Sequence, residues 1–428
     1  MRNAGLEIIV LRNGLDFSAV YCRMVPVSES KYQPRLYDSF LEHHLRNYRQ
    51  MAFLTGPRQV GKTTACRRLG DVYLNWDNED HRELILQGPG AVASQAGLDR
   101  ISDRPVTVVF DELHKYRRWK LFLKGLFDTY EERIRILVTG SSRLDVYRRG
   151  GDSLMGRYFL FRMHPLSAGE LVQIERSSSP VHAPRPLPDR DWEALLEHGG
   201  YPEPYVRRER TFSRRWRELR RSQLLRDEIR DLTRIQEIDQ LAILGRLLEK
   251  RSGGQLVYST LAREVRVSEN TVRSWVSVLC SLYYGFLLRP WFRSVAKALR
   301  KEPKWFLRDW SGIEDPGRRA ETFCACHLLK AVEVWSDLGL GSFELRYIRD
   351  KQQREVDFLV VRDGEPWFLV EARHGEGGLS PSLSWFQRQI SCPHAFQVAM
   401  HGAYVDADCF SYRQPIVVPA RTLFSQLV

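Results

Sequence analysis

Apolar residues along this chain alternate between two rhythms. Short unbroken runs at 51–55, 106–110 and 134–138 have the look of strands covered on both faces. Between the second and third, Trp119, Phe122, Leu126, Phe127 and Tyr130 recur at helical spacing and read as core. Buried strands alternating with helices predict an α/β fold on a parallel sheet. Further on, Trp216, Leu219, Leu225, Ile229 and Leu232 fall roughly on one helical face. A short helix from Ser259 then carries Leu261, Ala262 and Val265, and Arg266 with Val267 makes a turn. Ser268 caps a second helix whose inner face is Val272, Val276, Leu279 and Tyr283. An apolar strand at 285–289 follows. Beyond Lys304 the pattern predicts a helix with Glu321 near its start and a strand at 343–348. Two more strands, 354–361 and 366–371, are joined as a hairpin by a turn at Asp363-Gly364.

A chain of 428 residues exceeds one ordinary core. The composition shifts suggest five parts: an N-terminal extension (1–30), a nucleotide-binding α/β domain (31–176), and a linker and helical region (177–250). A winged helix-turn-helix (251–296) and a nuclease-like α/β domain (297–428) complete the division. Hydrophobic residues at 43% and charged residues at 28% describe a folded protein and exclude a disordered one. No run approaches the ~18 apolar residues of a membrane span. The first 30 residues lack a basic–apolar–small signal layout, and Met24 is an alternative start. Seven scattered cysteines, without CxxC pairs, point to neither a disulfide framework nor a zinc site. A cytoplasmic setting without a membrane is the expectation.

The densest chemistry begins where the first strand ends. Gly56, Pro57, Arg58, Gln59, Val60, Gly61, Lys62, Thr63 and Thr64 spell GxxxxGK[ST] between a strand and a helix. Glycines in such a loop let backbone N–H groups wrap phosphates, and the helix N-terminus adds its positive end. Lys62 is then expected on the β- and γ-phosphates and the Thr63 hydroxyl on Mg²⁺. The second buried strand ends in Asp111-Glu112, an acid for the Mg²⁺ shell followed by one to polarise the attacking water. The alternative for that pair is two exposed acids capping a helix. Ser141, past the third strand, is the candidate γ-phosphate sensor. Arg143, Arg148, Arg149 and Arg157 are candidate arginine fingers acting in cis or on a neighbouring subunit, with Arg157 the first choice against a plain surface role. ATP and Mg²⁺ are the cofactors this set implies.

The formal charge of +12 favours a polyanionic partner, DNA above all. Much of the excess is arginine between 207 and 234, where acids are interleaved, so a solvated, ion-paired helix face competes with a DNA-contacting one. In the helix-turn-helix, Asn270, Arg273 and Ser274 face outward and are the candidate DNA contacts. The same module would also serve as a plain spacer. In the last part, Asp357 and Glu371 lie on neighbouring strands and are candidates to share a metal, with Glu321 nearby in the helix. That layout resembles the PD-(D/E)XK nuclease core, in which carboxylates bind Mg²⁺ and a lysine stabilises the attacking hydroxide. Here Arg373 stands where the lysine belongs, and a guanidinium does not replace a compact ammonium.

In order, the chain carries GPRQVGKTT, VVFDE, VTGSSR, SLMGRYF, GGYPE, RDEIRDL, KEPKWF and REVDFLV. On those motifs, from about Tyr32 to Met400, it resembles a prokaryotic family of AAA-type ATPases with a C-terminal winged-helix and nuclease-like region. The resemblance implies ATP binding and hydrolysis, with Lys62, Thr63, Asp111, Glu112 and Ser141 in the family's positions. It carries Asp357 and Glu371 over as positions only. AAA-type architecture further suggests a homo-oligomer. Three functions follow as expectations: an ATPase whose nucleotide state controls a DNA-associated C-terminal half, a slow nucleotide-gated switch that binds a protein partner, and, last, an ATP-dependent nuclease.

Overall fold

The computed structural model describes residues 32–140, 154–225, 229, 237–292, 301–375 and 378–428. The N-terminal extension, Ser141, Arg143, Arg148, Arg149 and Leu232 lie outside the described residues.

Five parallel strands make the first sheet: β1 (Met51–Thr55), β2 (Val72–Asn75), β3 (Val106–Asp111), β4 (Ile134–Thr139) and β5 (Tyr158–Arg162), in the order β2-β3-β4-β1-β5. The three runs read as buried strands are β1, β3 and β4, and they occupy interior positions with both faces covered. Burial on both faces explains why these runs do not alternate with polar residues. One face packs on the helix Trp119–Tyr130, whose Trp119, Phe122, Leu123, Leu126 and Phe127 are buried. Because every strand runs the same way, the loops after β1 and β3 emerge at one end of the sheet.

The helical middle holds the helix Arg210–Gln223, followed by the helices Ile238–Glu249, Tyr258–Val265 and Glu269–Ser281 around a separate apolar cluster. Ser268 caps the last of these by accepting the Thr271 N–H, and Val272, Val276, Leu279 and Tyr283 all face inward. Leu219 departs from expectation: it is 55% exposed. The buried stripe of its helix runs through Ser213, Trp216 and Leu224, and Leu219 falls on the other flank of Trp216. The strand β6 (Gly285–Leu288) pairs antiparallel with β7 (Lys304–Leu307), so a boundary at 296 would cut through this ribbon.

A second sheet follows, β8 (Phe343–Arg349), β9 (Glu355–Arg362), β10 (Glu365–Arg373), β11 (His394–Ala399) and β12 (Ile416–Pro419), in the order β12-β11-β10-β9-β8. β8, β9 and β10 are antiparallel neighbours, whereas β10, β11 and β12 run parallel. The long helix Pro316–Asp337 covers one face and the helix Pro381–Gln389 the other. The long helix also packs on β5, and one apolar core runs from Leu36 and Leu54 through Phe323 and Trp335 to Phe396 and Leu427. Within that core a Cβ on Gly169 would lie 2.0 Å from the Leu427 carbonyl oxygen, so only glycine lets the two backbones meet.

His327 shows how polar groups survive there. Its Nδ1 pairs with the Phe323 carbonyl at 2.9 Å, and its Nε2 accepts the Ala168 N–H at 3.1 Å. The ring is therefore held neutral, and burial lowers its pKa to about 3. The unfolded chain takes up a proton at about pH 6.5, before the folded chain does. The stability this group lends is thus whole above that pH and is lost as pH falls toward 3. The expected loss from His327 is about 3 kcal/mol by pH 4. Urea melts from pH 7 to pH 4 should show it, and the acid slope of His327→Gln should be shallower.

Candidate nucleotide site and acidic pocket

The loop after β1 is built from backbone that only certain residues tolerate. Gly56 has φ of 145° and a Cβ there would lie 2.2 Å from the Met163 carbonyl oxygen, while Gly61, with φ of 102°, caps the helix Lys62–Leu69. Gln59 is also left-handed, at φ 62°. Val60 is buried, whereas Arg58 and Gln59 reach solvent. The Lys62 ammonium donates to the carbonyl oxygens of Gly56 and Pro57 at 2.8 and 2.7 Å, folded back over the loop. Thr63 is in the first turn of the helix, and its hydroxyl donates to Asp111 Oδ2 at 3.0 Å. Thr64 is the next residue of the same turn.

Asp111 ends β3 beside Thr139 of β4. Burial raises its pKa, against hydrogen bonds from Tyr73 at 2.6 Å and from Thr63 that favour the carboxylate. Glu112 turns into the left-handed region at φ 55° and leaves the strand, its N–H donating to the Thr139 carbonyl. Its carboxylate lies 3.4 Å from Lys115 Nζ and 3.7 Å from His114 Nε2. The structure thus brings Lys62, Thr63 and Asp111 to one end of the sheet, with Glu112 next to them.

Arg157 is placed elsewhere. It precedes β5, and Met51, at the start of β1, donates to its carbonyl. The P-loop leaves the far end of β1, roughly 13–17 Å away at strand rise. Its guanidinium is forked onto Asp128 at 2.6 and 3.0 Å. On this chain's own nucleotide it cannot serve as a finger, a correction that follows from strand direction. Sequence reasoning missed Arg220. With Gln223, Leu224 and Leu282 it faces Arg58 and Gln59 across a cavity of about 150 Å³, and its Nε is buried without a hydrogen bond. It also missed Tyr283, whose hydroxyl lies 3.0 Å from Thr55 Oγ1 at the root of the P-loop.

In the helix-turn-helix, Asn270, Arg273 and Ser274 are all exposed on the second helix. Arg273 is ion-paired with Glu269 at 2.6 Å and lies 4.0 Å over the Tyr258 ring. Much of the arginine-rich stretch is matched by acids: Arg207 by Glu203, Arg208 by Asp191, Arg210 by Glu197, and Arg221 by Glu218 and Glu249.

The hairpin β9–β10 sets Asp357 and Glu371 on neighbouring strands, and the Ala372 N–H donates to Asp357 Oδ2 at 3.0 Å. Glu321 comes in from the long helix. The charge between them is Lys304, from β7. Its ammonium lies 2.9 Å from Glu321, 2.7 Å from Glu355 and 3.5 Å from Asp357. Burial lowers the lysine pKa, but the three carboxylates outweigh it and the net direction is up. Carboxylate still exceeds base, so burial and then Asp357 push Glu321 up to about 7 and Glu371 up to about 8. Arg373 turns back onto Glu371 at 2.8 Å and is half exposed. Lys304 lies inside KEPKWF, and a lysine within a short apolar strand was the available signal. Among the described residues, no group of three or more His, Cys, Asp or Glu side chains is arranged to hold a metal ion.

The first sheet with its P-loop defines an AAA-type P-loop NTPase domain, and residues 48–172 match a family model described as an AAA domain. Residues 189–313 match a domain of unknown function, DUF8612, which takes in the helical region, the helix-turn-helix and β7. The uncharacterized protein Rv2008c of Mycobacterium tuberculosis is 26% identical over 348 residues, covering 78% of this chain and 72% of that protein. The uncharacterized protein Mb2031c of Mycobacterium bovis matches equally well. Among solved structures, the Aeropyrum pernix ORC1 protein in complex with DNA has a TM-score of 0.30 at 15% identity, over 69% of this chain and 93% of that one. CDC6P from Pyrobaculum aerophilum scores 0.27 at 12% identity, over 71% and 92%. Scores at that level say nothing about ligands. No helix among the described residues is long and apolar enough to cross a membrane.

Removing the Lys304 ammonium would leave Glu321, Glu355 and Asp357 facing one another without their shared cation. Lys304→Ala should lose about 3–5 kcal/mol in urea unfolding. Lys304→Ala with Glu321→Gln should regain part of that loss. A Lys304→Ala chain as stable as the parent would show that the ammonium is dispensable.

Proposed function

We propose that this chain binds and hydrolyses Mg·ATP, and that its nucleotide state controls a C-terminal half that associates with DNA. The observation carrying the ATPase reading is the triad of Lys62, Thr63 and Asp111 at the end of β1 and β3, with Thr63 and Asp111 3.0 Å apart. The donor set suits the group: a loop of glycines and backbone N–H donors, a lysine, a hydroxyl and a carboxylate. Thr63 and Asp111 would hold Mg²⁺, which when bound neutralises phosphate charge. Residues 56–64 bind and orient the phosphates, with Lys62 released from the Gly56 and Pro57 carbonyls to reach them. Glu112 accepts the proton of the attacking water. Ser141, two residues past β4 in the sequence, is the candidate sensor. Arg157, at the opposite end of the sheet, is a finger for a neighbouring copy only.

The DNA reading rests on the exposed Asn270, Arg273 and Ser274 and on the +12 charge. The second reading, a slow nucleotide-gated switch for a protein partner, is favoured by the acids that already pair with much of the arginine-rich stretch. A nuclease is the least supported reading, because Lys304 is committed to three carboxylates and Arg373 to Glu371.

Mg·ATP turnover, measured with and without duplex DNA, separates these readings. Lys62→Ala should abolish turnover, and Glu112→Gln should lower it about 100-fold or more while nucleotide still binds. Acceleration by DNA, suppressed by salt, supports the first reading. Turnover indifferent to DNA supports the second, and no turnover by the parent chain overturns the ATPase.

A further inference from the structure

The P-loop is gripped from behind. The Val60 carbonyl accepts a hydrogen bond from Arg35 Nη1 at 2.5 Å, on a residue flanked by the left-handed Gln59 and Gly61. Arg35 is the N-cap of the helix Leu36–Asn47, 25 residues upstream and absent from any nucleotide motif. Its planar fork is fully used: Nη2 donates to the His164 carbonyl at 2.6 Å and to Glu170 Oε2 at 3.2 Å, and Nε donates to Glu170 Oε1 at 2.8 Å. Glu170 also accepts the Leu36 N–H at 2.9 Å and is ion-paired through its other oxygen with Lys330. Lys330 belongs to the long helix Pro316–Asp337 and donates to the Pro165 carbonyl at 3.1 Å. The Arg35, Glu170 and Lys330 side chains are at most 2% exposed. The route from the nucleotide loop to the C-terminal sheet's main helix is therefore three buried side chains long.

We propose that Arg35 is a positioning residue of the nucleotide site, and that the buried Glu170–Lys330 pair ties it to the long helix, so that nucleotide binding and the packing of that helix are coupled. A loop whose N–H groups must converge on phosphates needs its peptide planes fixed, and a donor on an outward carbonyl fixes one of them. A single-point ammonium does not match the fork that serves Val60, His164 and Glu170 together. Glu170 sets where Arg35 sits, and Lys330 sets where Glu170 sits. Loss of Lys330 leaves Glu170 Oε2 with only the longer Arg35 Nη2 contact at 3.2 Å, so the carboxylate turns toward Arg35 and draws the guanidinium off the Val60 carbonyl.

The same helix has two further grips. Asp337 and Glu333 hold Arg162 at 2.5 and 3.4 Å, and Glu333 lies 2.6 Å from His164. Arg162 ends β5, alongside Thr55 at the root of the P-loop. At its other end the helix carries Glu321 of the acidic pocket, nine residues or roughly 14 Å from Lys330. A shift of the helix at the P-loop would thus be felt at Lys304. Because linkage is reciprocal, a helix that affects nucleotide affinity must itself be stabilised by nucleotide.

This inference rests on the reading that residues 56–64 bind Mg·ATP, and the test separates the two. Equilibrium binding of Mg·ATP and steady-state turnover are measured on the full chain for the parent, Lys62→Ala, Arg35→Gln, Arg35→Lys and Lys330→Met. Arg35→Gln should weaken binding about tenfold, with Arg35→Lys recovering less than half of the loss. Lys330→Met, remote from the nucleotide, should raise KM threefold or more while kcat stays within twofold. In the parent, ATP should slow amide exchange in residues 316–337, and Lys330→Met should abolish that protection. Folded Lys330→Met with parental KM and parental protection overturns the coupling and leaves ATP binding intact. If Lys330→Met does not fold, the parent decides alone: ATP-induced protection of 316–337 that Lys62→Ala removes supports the coupling, and bound ATP without protection overturns it. Failure of the parent to bind ATP overturns the nucleotide reading instead.

Discussion

A carboxylate taken wholly out of water loses several kcal/mol of solvation, which only cations and hydrogen-bond donors can replace. Glu170 meets that demand with Arg35 across both oxygens, Lys330 on the second of them, and the Leu36 N–H on the first. Burial pushes its pKa up, yet Arg35 and then Lys330 outweigh it and hold the group down to about 2. Lys330 feels the opposite balance, with burial exceeding the pull of Glu170 and lowering it to about 8. None of the three can leave without stranding another. The first helix, the segment after β5 and the long helix therefore meet at one point, and the apolar core around them is continuous across both sheets.

The two charged sites differ in how their balance is struck. At the P-loop, the Lys62 ammonium is answered by the neutral backbone carbonyls of Gly56 and Pro57. In the acidic pocket, carboxylates converge and an internal ammonium answers three of them. A pocket balanced from within has less need of a cation from solution. Lys304 thereby ties the ribbon β6–β7 to carboxylates of the second sheet and of the long helix.

Legibility in the sequence followed locality. The P-loop is contiguous, and its glycines are forced by φ values that a reader can anticipate. The strands β1, β3 and β4 announce themselves because both faces are buried. The helix-turn-helix was readable from its cap and from four inward residues at helical spacing. Arg35, Tyr73 and Lys304 were not, since each acquires its meaning from partners scores of residues away or on another sheet. Arg157 was misplaced for a different reason. In a parallel sheet, a residue just before a strand lies at the end opposite the loops that follow the strands, and its nearness in sequence to β5 concealed that. Leu219 was misread because five apolar residues across several turns were averaged onto one face, when Trp216 and Leu224 set a narrower stripe.

The close approach of Gly169 and Leu427 joins a short helix beside the first sheet to a segment more than 250 residues later. During synthesis, the motif-bearing sheet would emerge from the ribosome long before the residues that seal its inner face. Until those arrive, Leu54, Val109 and Leu137 lack part of their cover, and the half-built sheet presents an adhesive apolar surface. The nucleotide-binding half is therefore first to be made but among the last to be finished. Partial chains ending before 420 would be prone to aggregate and to engage chaperones.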